Sequence, residues 1–248
     1  VNQSSATPGT PRETDVPSYR VVLAETDWGS LETAFGNGAC LPGILARLLE
    51  PDPRVQVAAL SELSELVCHQ STVYEATVPV AVFVAGILTH PAAMTLRPYR
   101  SVPIRAALLN WLGSTACDAS DEMVDRVQQY FPGFHSPGSI VTAFRDLRPV
   151  LYRAVAPFLQ DGHEDVREAA GLAALILAEH PGLAEHRDHL AVHARAILDT
   201  SGDVHSRRVA WRALEAWGHD VTDIEPFQEE PWDCGPHSDD RGDLEPPF

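Results

Sequence analysis

Apolar positions recur at helical spacing along most of this chain, in stretches broken by short polar turns rich in Asp, Gly and Pro. The pattern predicts helices in pairs. Residues 39–49 and 54–67 flank the turn Glu50-Pro51-Asp52-Pro53, and Val55, Ala58, Ala59, Leu63 and Leu66 fall near one face of the second helix. Residues 73–88, with Pro79 inside, pair with 104–116 across a longer link that holds Arg97, Tyr99 and Arg100. Residues 147–159 pair with 166–179, and 183–198 with 206–217. Pro42, near the start of the first helix, is tolerated because a first-turn amide has no intrahelical partner. A short helix over 27–32, capped by Asp27 or Ser30, would let Trp28 cover the open end of the series. Residues 117–145 interrupt the pairs with one predicted helix, 121–130, and a Gly/Pro loop, 131–138, expected to protrude and meet ligands.

The second helix of each pair opens on a related segment. The four copies are Asp52-Pro53-Arg54-Val55-Gln56-Val57-Ala58-Ala59, Val102-Pro103-Ile104-Arg105-Ala106-Ala107, Asp165-Val166-Arg167-Glu168-Ala169-Ala170 and His205-Ser206-Arg207-Arg208-Val209-Ala210. The matched positions Val55, Ile104, Val166 and Ser206 are 49, 62 and 40 residues apart. The last interval suits a helical repeat, and the first two are stretched by insertions.

Composition narrows the chemistry. The 18 basic residues are all arginine, so Schiff-base lysines, phosphate-loop lysines and lysine nucleophiles are excluded within this sequence. Net charge is −17, and residues 219–248 carry ten acids against Arg241. That balance opposes duplex DNA binding, which needs a basic stripe against the phosphates. The four cysteines (Cys40, Cys68, Cys117 and Cys234) are widely spaced, with no Cys-x-x-Cys pair, and suit a reducing cytoplasm. The polar start, with Pro8 and Pro11, has no leader pattern, and no apolar run reaches membrane-span length. Residues 1–25 are expected to be disordered, 26–218 to form the repeat domain, and 219–248 to form an acidic, Pro-rich tail in which Trp232 stands out.

An apolar helix, a turn with Asp, then Val-Arg-x-x-Ala-Ala resembles the HEAT-repeat family over roughly 38–218. Gln56 replaces the arginine in the first copy, the second lacks the aspartate, and Ser206 replaces the valine in the fourth. The whole chain, including His69-Gln70-Ser71-Thr72-Val73-Tyr74-Glu75-Ala76-Thr77, is similar to HEAT-repeat proteins of high-GC actinobacteria. The resemblance implies an all-α, right-handed superhelix of about four helix pairs. It also implies a ladder between units, with Asp52, Asp161 or Asp165 and Arg105, Arg167 and Arg207 as candidates.

The expected function is non-enzymatic: a cytoplasmic scaffold, without cofactor, whose concave face holds a protein or peptide, with an immunity- or antitoxin-like protein as one defined version. Candidate contacts are Glu62, Glu65, His69, Gln70, Tyr74, Glu75, Asn110, Trp111, Arg208 and Arg212. The segment His69 to Glu75 stands out because it concentrates hydrogen-bonding groups beside an aromatic. Helix capping explains the same residues, with Glu75 as capping-box partner of Thr72. Arg208 and Arg212 offer an anion clamp, or pair with Glu215 or the acidic tail. The alternative is an enzyme on the same scaffold. Its metal would sit on His186, His189 and His193 at helical spacing, or on His163-Glu164. A DNA glycosylase of the alkylpurine type, with Trp111, Trp211 and Trp217 near the backbone, is its second form.

Overall fold

The structure, a computed structural model, describes residues 16–96, 102–132 and 135–224. Helices dominate it. α1 (Tyr19–Glu25) leads into a two-residue hairpin, β1 (Glu32–Thr33) and β2 (Gly36–Asn37). The paired helices follow: α2 (Leu41–Arg47) with α3 (Pro53–Val67), and α4 (Thr77–Ile87) with α5 (Ile104–Asp118). After α6 (Asp121–Gln128) and α7 (Ile140–Asp146), α8 (Arg148–Val155) pairs with α9 (Glu164–Leu177) and α10 (Arg187–Thr200) with α11 (Val204–Ala216). The second helices pack in series, α3 on α5, α5 on α9 and α9 on α11.

Local chemistry sets the boundaries. Asp52 accepts the Arg54 amide at 2.9 Å, and Asp203 accepts the Ser206 amide at 2.7 Å, so α3 and α11 each start on an aspartate cap. Ser120 and Ser139 cap α6 and α7 in the same way. Helices α5 and α9 pack closely along their length. A Cβ on Gly113 would lie 3.2 Å from Ala173 Cα, so a glycine is what lets the two backbones approach. Helix α4 is apolar on nearly every side, with Val80 to Ala85 buried, because α1, α5, α7 and α8 surround it.

The repeated segments act at their second position. Gln56 is buried and donates to the carbonyls of Leu48 (3.0 Å) and Ala92 (2.9 Å). Arg105 donates to the Leu88 carbonyl at 2.8 Å, pairs with Asp161 at 3.3 Å and lies over the Phe158 ring. Arg167 donates to the carbonyls of Asp161 and Gly162. Gln56 and Arg105 each satisfy a carbonyl at the end of the preceding helix, Leu48 after α2 and Leu88 after α4, and Arg167 satisfies the turn before its own helix. Of the ladder candidates, Asp161 reaches Arg105 in the neighbouring pair. Asp52 instead caps its own helix, and Asp165 faces His163 at 3.3 Å.

Several expectations change. Within 1–25, expected to be disordered, residues 19–25 are helical. Tyr19 packs edge-on against Phe83 and His90, and Gly86 leaves room for the Tyr19 backbone. Residues 1–15 lie outside the described residues. The helix expected over 27–32 is a single 3-10 turn, Trp28–Ser30, followed by the hairpin, and buried Trp28 donates to the Leu23 carbonyl. The helix expected from Val73 starts at Thr77. Gln70 and Ser71 adopt left-handed backbone (φ 50° and 55°), which breaks helical continuity, and Pro79 then falls in the first turn. Glu75 is not a capping-box partner of Thr72; it accepts the Glu32 amide at 2.9 Å and ties the hairpin to α4. On α3, Ala58 is exposed and Gln56 is buried, so the apolar face is rotated from the expected one.

The insertion is anchored by a few buried residues, with Phe144 of α7 fully buried, while Tyr130 and Phe131 are exposed. Arg145 and Arg148 both donate to the Ala119 carbonyl, clamping the end of α5. The chain leaves α11 with Val221 and Ile224 packed on the core and Asp223 paired with Arg195. Residues 225–248, with Trp232 and Cys234, lie outside the described residues, as do Arg97, Tyr99 and Arg100. Among the described residues, no helix is long and apolar enough to cross a membrane.

Candidate functional site

Two cavities of about 430 and 460 Å³ lie along α5, α9 and α11 and meet at Ile176 and Val209, which line both. Together they form one trough. Its depth comes from small side chains: α5 turns Ala107, Asn110 and Ser114 toward it at helical spacing, over Gly113 and Ala169. Leu172, Ile176 and Val209 make its middle apolar. It follows α9 from Asp165 to Glu179, roughly 20 Å at the helical rise per residue.

One end is acidic. Asp165, Glu168 and Asp203 surround it, beside His205. Asp165 stands in the first turn of α9 and Asp203 caps α11, where helix dipoles favour negative charge, and Glu168 follows in the second turn of α9. Bonds to the Ser206 hydroxyl and amide hold the Asp203 carboxyl below the usual range. Glu168 accepts the Ser201 hydroxyl at 2.6 Å.

The other end carries arginine. Arg208 and Arg212 of α11 both reach Glu122 of α6, Arg208 at 3.1 Å. Arg126 reaches the same carboxylate from one turn along α6, at 2.5 Å. Behind them, Arg148 is fully buried and pairs with Glu179 at 3.1 Å. Burial pushes the Glu179 carboxyl up, and Arg148 opposes that rise. Trp217 closes this end, with Arg187 above its ring.

The residues singled out by sequence divide into two groups. Asn110, Arg208 and Arg212 line the trough. The partner of the two arginines is Glu122, which sequence reasoning did not single out. Trp111, next to Asn110, is buried in the core and is not among the residues that line the trough. The remaining candidates gather elsewhere. Glu62 pairs with Arg47, and Glu65 lies 3.3 Å from His69. The His69 ring meets exposed Phe35 edge-on at 5.0 Å, and Gln70 is exposed on the left-handed turn. Tyr74 is half-buried and donates its amide to Thr77, while Glu75 holds the hairpin. Ser71 bonds the Asp118 carboxyl at the end of α5, and burial pushes that carboxyl up to about 6.

The histidines are dispersed in role. His186 stacks on Tyr152 at 4.7 Å, whereas His189 and His193 contact each other. His163 faces Asp165, not Glu164. No group of three His, Cys, Asp or Glu side chains able to hold a metal is present among the described residues. Cys68 contacts the Thr115 hydroxyl, and burial raises its thiol to about 12, so it is no thiolate at neutral pH.

Sequence reasoning missed Glu122, Glu168, Leu172 and Asp203. The acids at the first turns read as helix caps, which hides a second role. Glu122 meets Arg208 across 86 residues of chain, a separation that no local pattern encodes. No family model, no curated protein and no solved structure matches the chain.

Proposed function

We propose that this chain is a HEAT-like repeat protein that binds a polypeptide segment of a partner in the trough along α5, α9 and α11. The carrying observation is the trough itself: open, roughly 20 Å long, apolar in the middle, acidic at one end and lined at the other by arginines paired with carboxylates. A segment of about six extended residues fits that length, as does a helix of about 13. The apolar middle takes a hydrophobic side chain, with burial worth about 25 cal/mol per Å². Asp165, Glu168 and Asp203 favour a basic side chain at their end. An acidic surface of this kind suits a protein that masks a basic partner, as an immunity-type protein does. The serial packing of second helices and the Arg105–Asp161 pair between units support the superhelical, HEAT-like reading.

Capture of partners from the source cells on immobilised protein, comparing wild type with Leu172→Arg, tests the reading. Leu172 is only partly buried, so the substitution fills the trough without opening the core. The account expects a stoichiometric polypeptide partner on the wild type and its loss from the folded variant. Equal retention by both proteins would contradict it.

A further inference from the structure

Glu122 belongs to α6, yet its carboxylate lies among guanidiniums that the trough supplies. Arg208 and Arg212 stand four residues apart on α11, so they share one face and converge on a single point. Arg126 adds a third guanidinium to that point from α6 itself. The other acids at this end are committed or exposed. Asp121 pairs with Arg145, Glu179 pairs with Arg148, and Glu215 is exposed. One carboxylate therefore serves three arginines where the trough opens.

The helix that brings Glu122 is lightly held. α6 has eight residues and buries only Val124. Its remaining ties are polar: the Asp121 amide donates to Glu179, and the Asp121 carboxylate pairs with Arg145. The three arginine contacts of Glu122 are all partly exposed, so water and salt compete with each of them.

We propose that Arg208 and Arg212 form a carboxylate-binding subsite, and that Glu122 is an internal stand-in for an Asp or Glu side chain of the bound polypeptide. The ligand's carboxylate takes the position of the Glu122 carboxylate, and α6 moves aside with Arg126. The arginine end then selects an acidic side chain, as the opposite end selects a basic one. A resident competitor lowers the affinity for any incoming acid by the fraction of time it occupies the clamp. This inference rests on the polypeptide-binding reading of the trough. It concerns the arginine end alone and can fail without it.

The probe is a capped hexaglutamate peptide, titrated into the full chain at low salt by calorimetry. Arginine Nε–H resonances serve as the local readout. Glu122→Gln keeps the side-chain shape and removes the competing charge. It is expected to bind the peptide about tenfold more tightly than wild type, with shifts at Arg208 and Arg212. Arg208→Gln combined with Arg212→Gln is expected to abolish binding, and Arg212→Gln alone to weaken it. A thermal melt confirms that each variant is folded. The proposal is overturned if Glu122→Gln binds no more tightly than wild type, if no protein binds the peptide, or if the double variant retains binding. Because no trough-filling variant is used, failure here leaves the Leu172→Arg result to decide the wider reading.

Discussion

Asp118 is a carboxyl whose surroundings oppose its charge. Its carboxyl sits at the end of α5, largely buried and bonded by Ser71, and burial lifts it from 3.8 to about 6. The folded state therefore holds a proton between those two values that the unfolded chain has released. Stability falls as pH rises through that window, and the loss is complete above about 6. Asp118→Asn removes the charge while keeping the shape. Urea unfolding should show the variant gaining about 1–3 kcal/mol over wild type at pH 7, with the two converging below pH 4. A variant no more stable than wild type at pH 7 would show that Asp118 is not desolvated. The same turn shows what sequence conveys at this scale. His69-Gln70-Ser71 announces hydrogen-bonding capacity, but not that two successive non-glycine residues take left-handed backbone. The turn also brings Ser71 to Asp118, 47 residues along the chain, which no local pattern encodes. Gln56 makes the complementary point. Read as a departure from an arginine repeat, it does the work of one, because both side chains deliver N–H groups to stranded carbonyls.

At the scale of elements, helix spacing and Pro/Asp turns locate the pairs to within a few residues, because each signal is local. The exceptions lie where a distant contact overrides the local pattern. α1 forms in a Ser/Pro-rich start because Phe83 and Gly86 of α4 receive Tyr19. The hairpin β1–β2 replaces an expected helix because Glu75 bonds the Glu32 amide. Packing between elements gives a paired prediction from two glycines. Gly113 of α5 faces Ala173 so closely that Gly113→Val forces α5 from α9 and should cost about 1–3 kcal/mol in urea unfolding. Gly43 of α2 has open space where a Cβ would go, so Gly43→Ala should gain about 0.5–1 kcal/mol from helix propensity. A Gly113→Val variant as stable as wild type would contradict the tight α5–α9 contact, and a destabilised Gly43→Ala would contradict the open space at α2.

At the scale of the whole molecule, the trough is a product of order. Placing α5, α9 and α11 side by side sets small residues opposite one another. It also sets acids from two helix starts at one end and arginines at the other. Its three walls come from helices far apart in sequence, which is why the helices were legible and the site was only partly so. Asn110, Arg208 and Arg212 emerged as candidates, whereas Glu122, Glu168 and Asp203 needed the assembled helices. The proposal is that this trough, and not the exposed side of α10, holds a partner polypeptide. A photocrosslinking amino acid placed in turn at Ser114 in the trough and at exposed Val192 on α10 tests it most directly. After irradiation in the source cells, the account predicts one dominant polypeptide adduct from position 114 and none from 192. Adducts of equal yield from both positions, or from 192 alone, would contradict it.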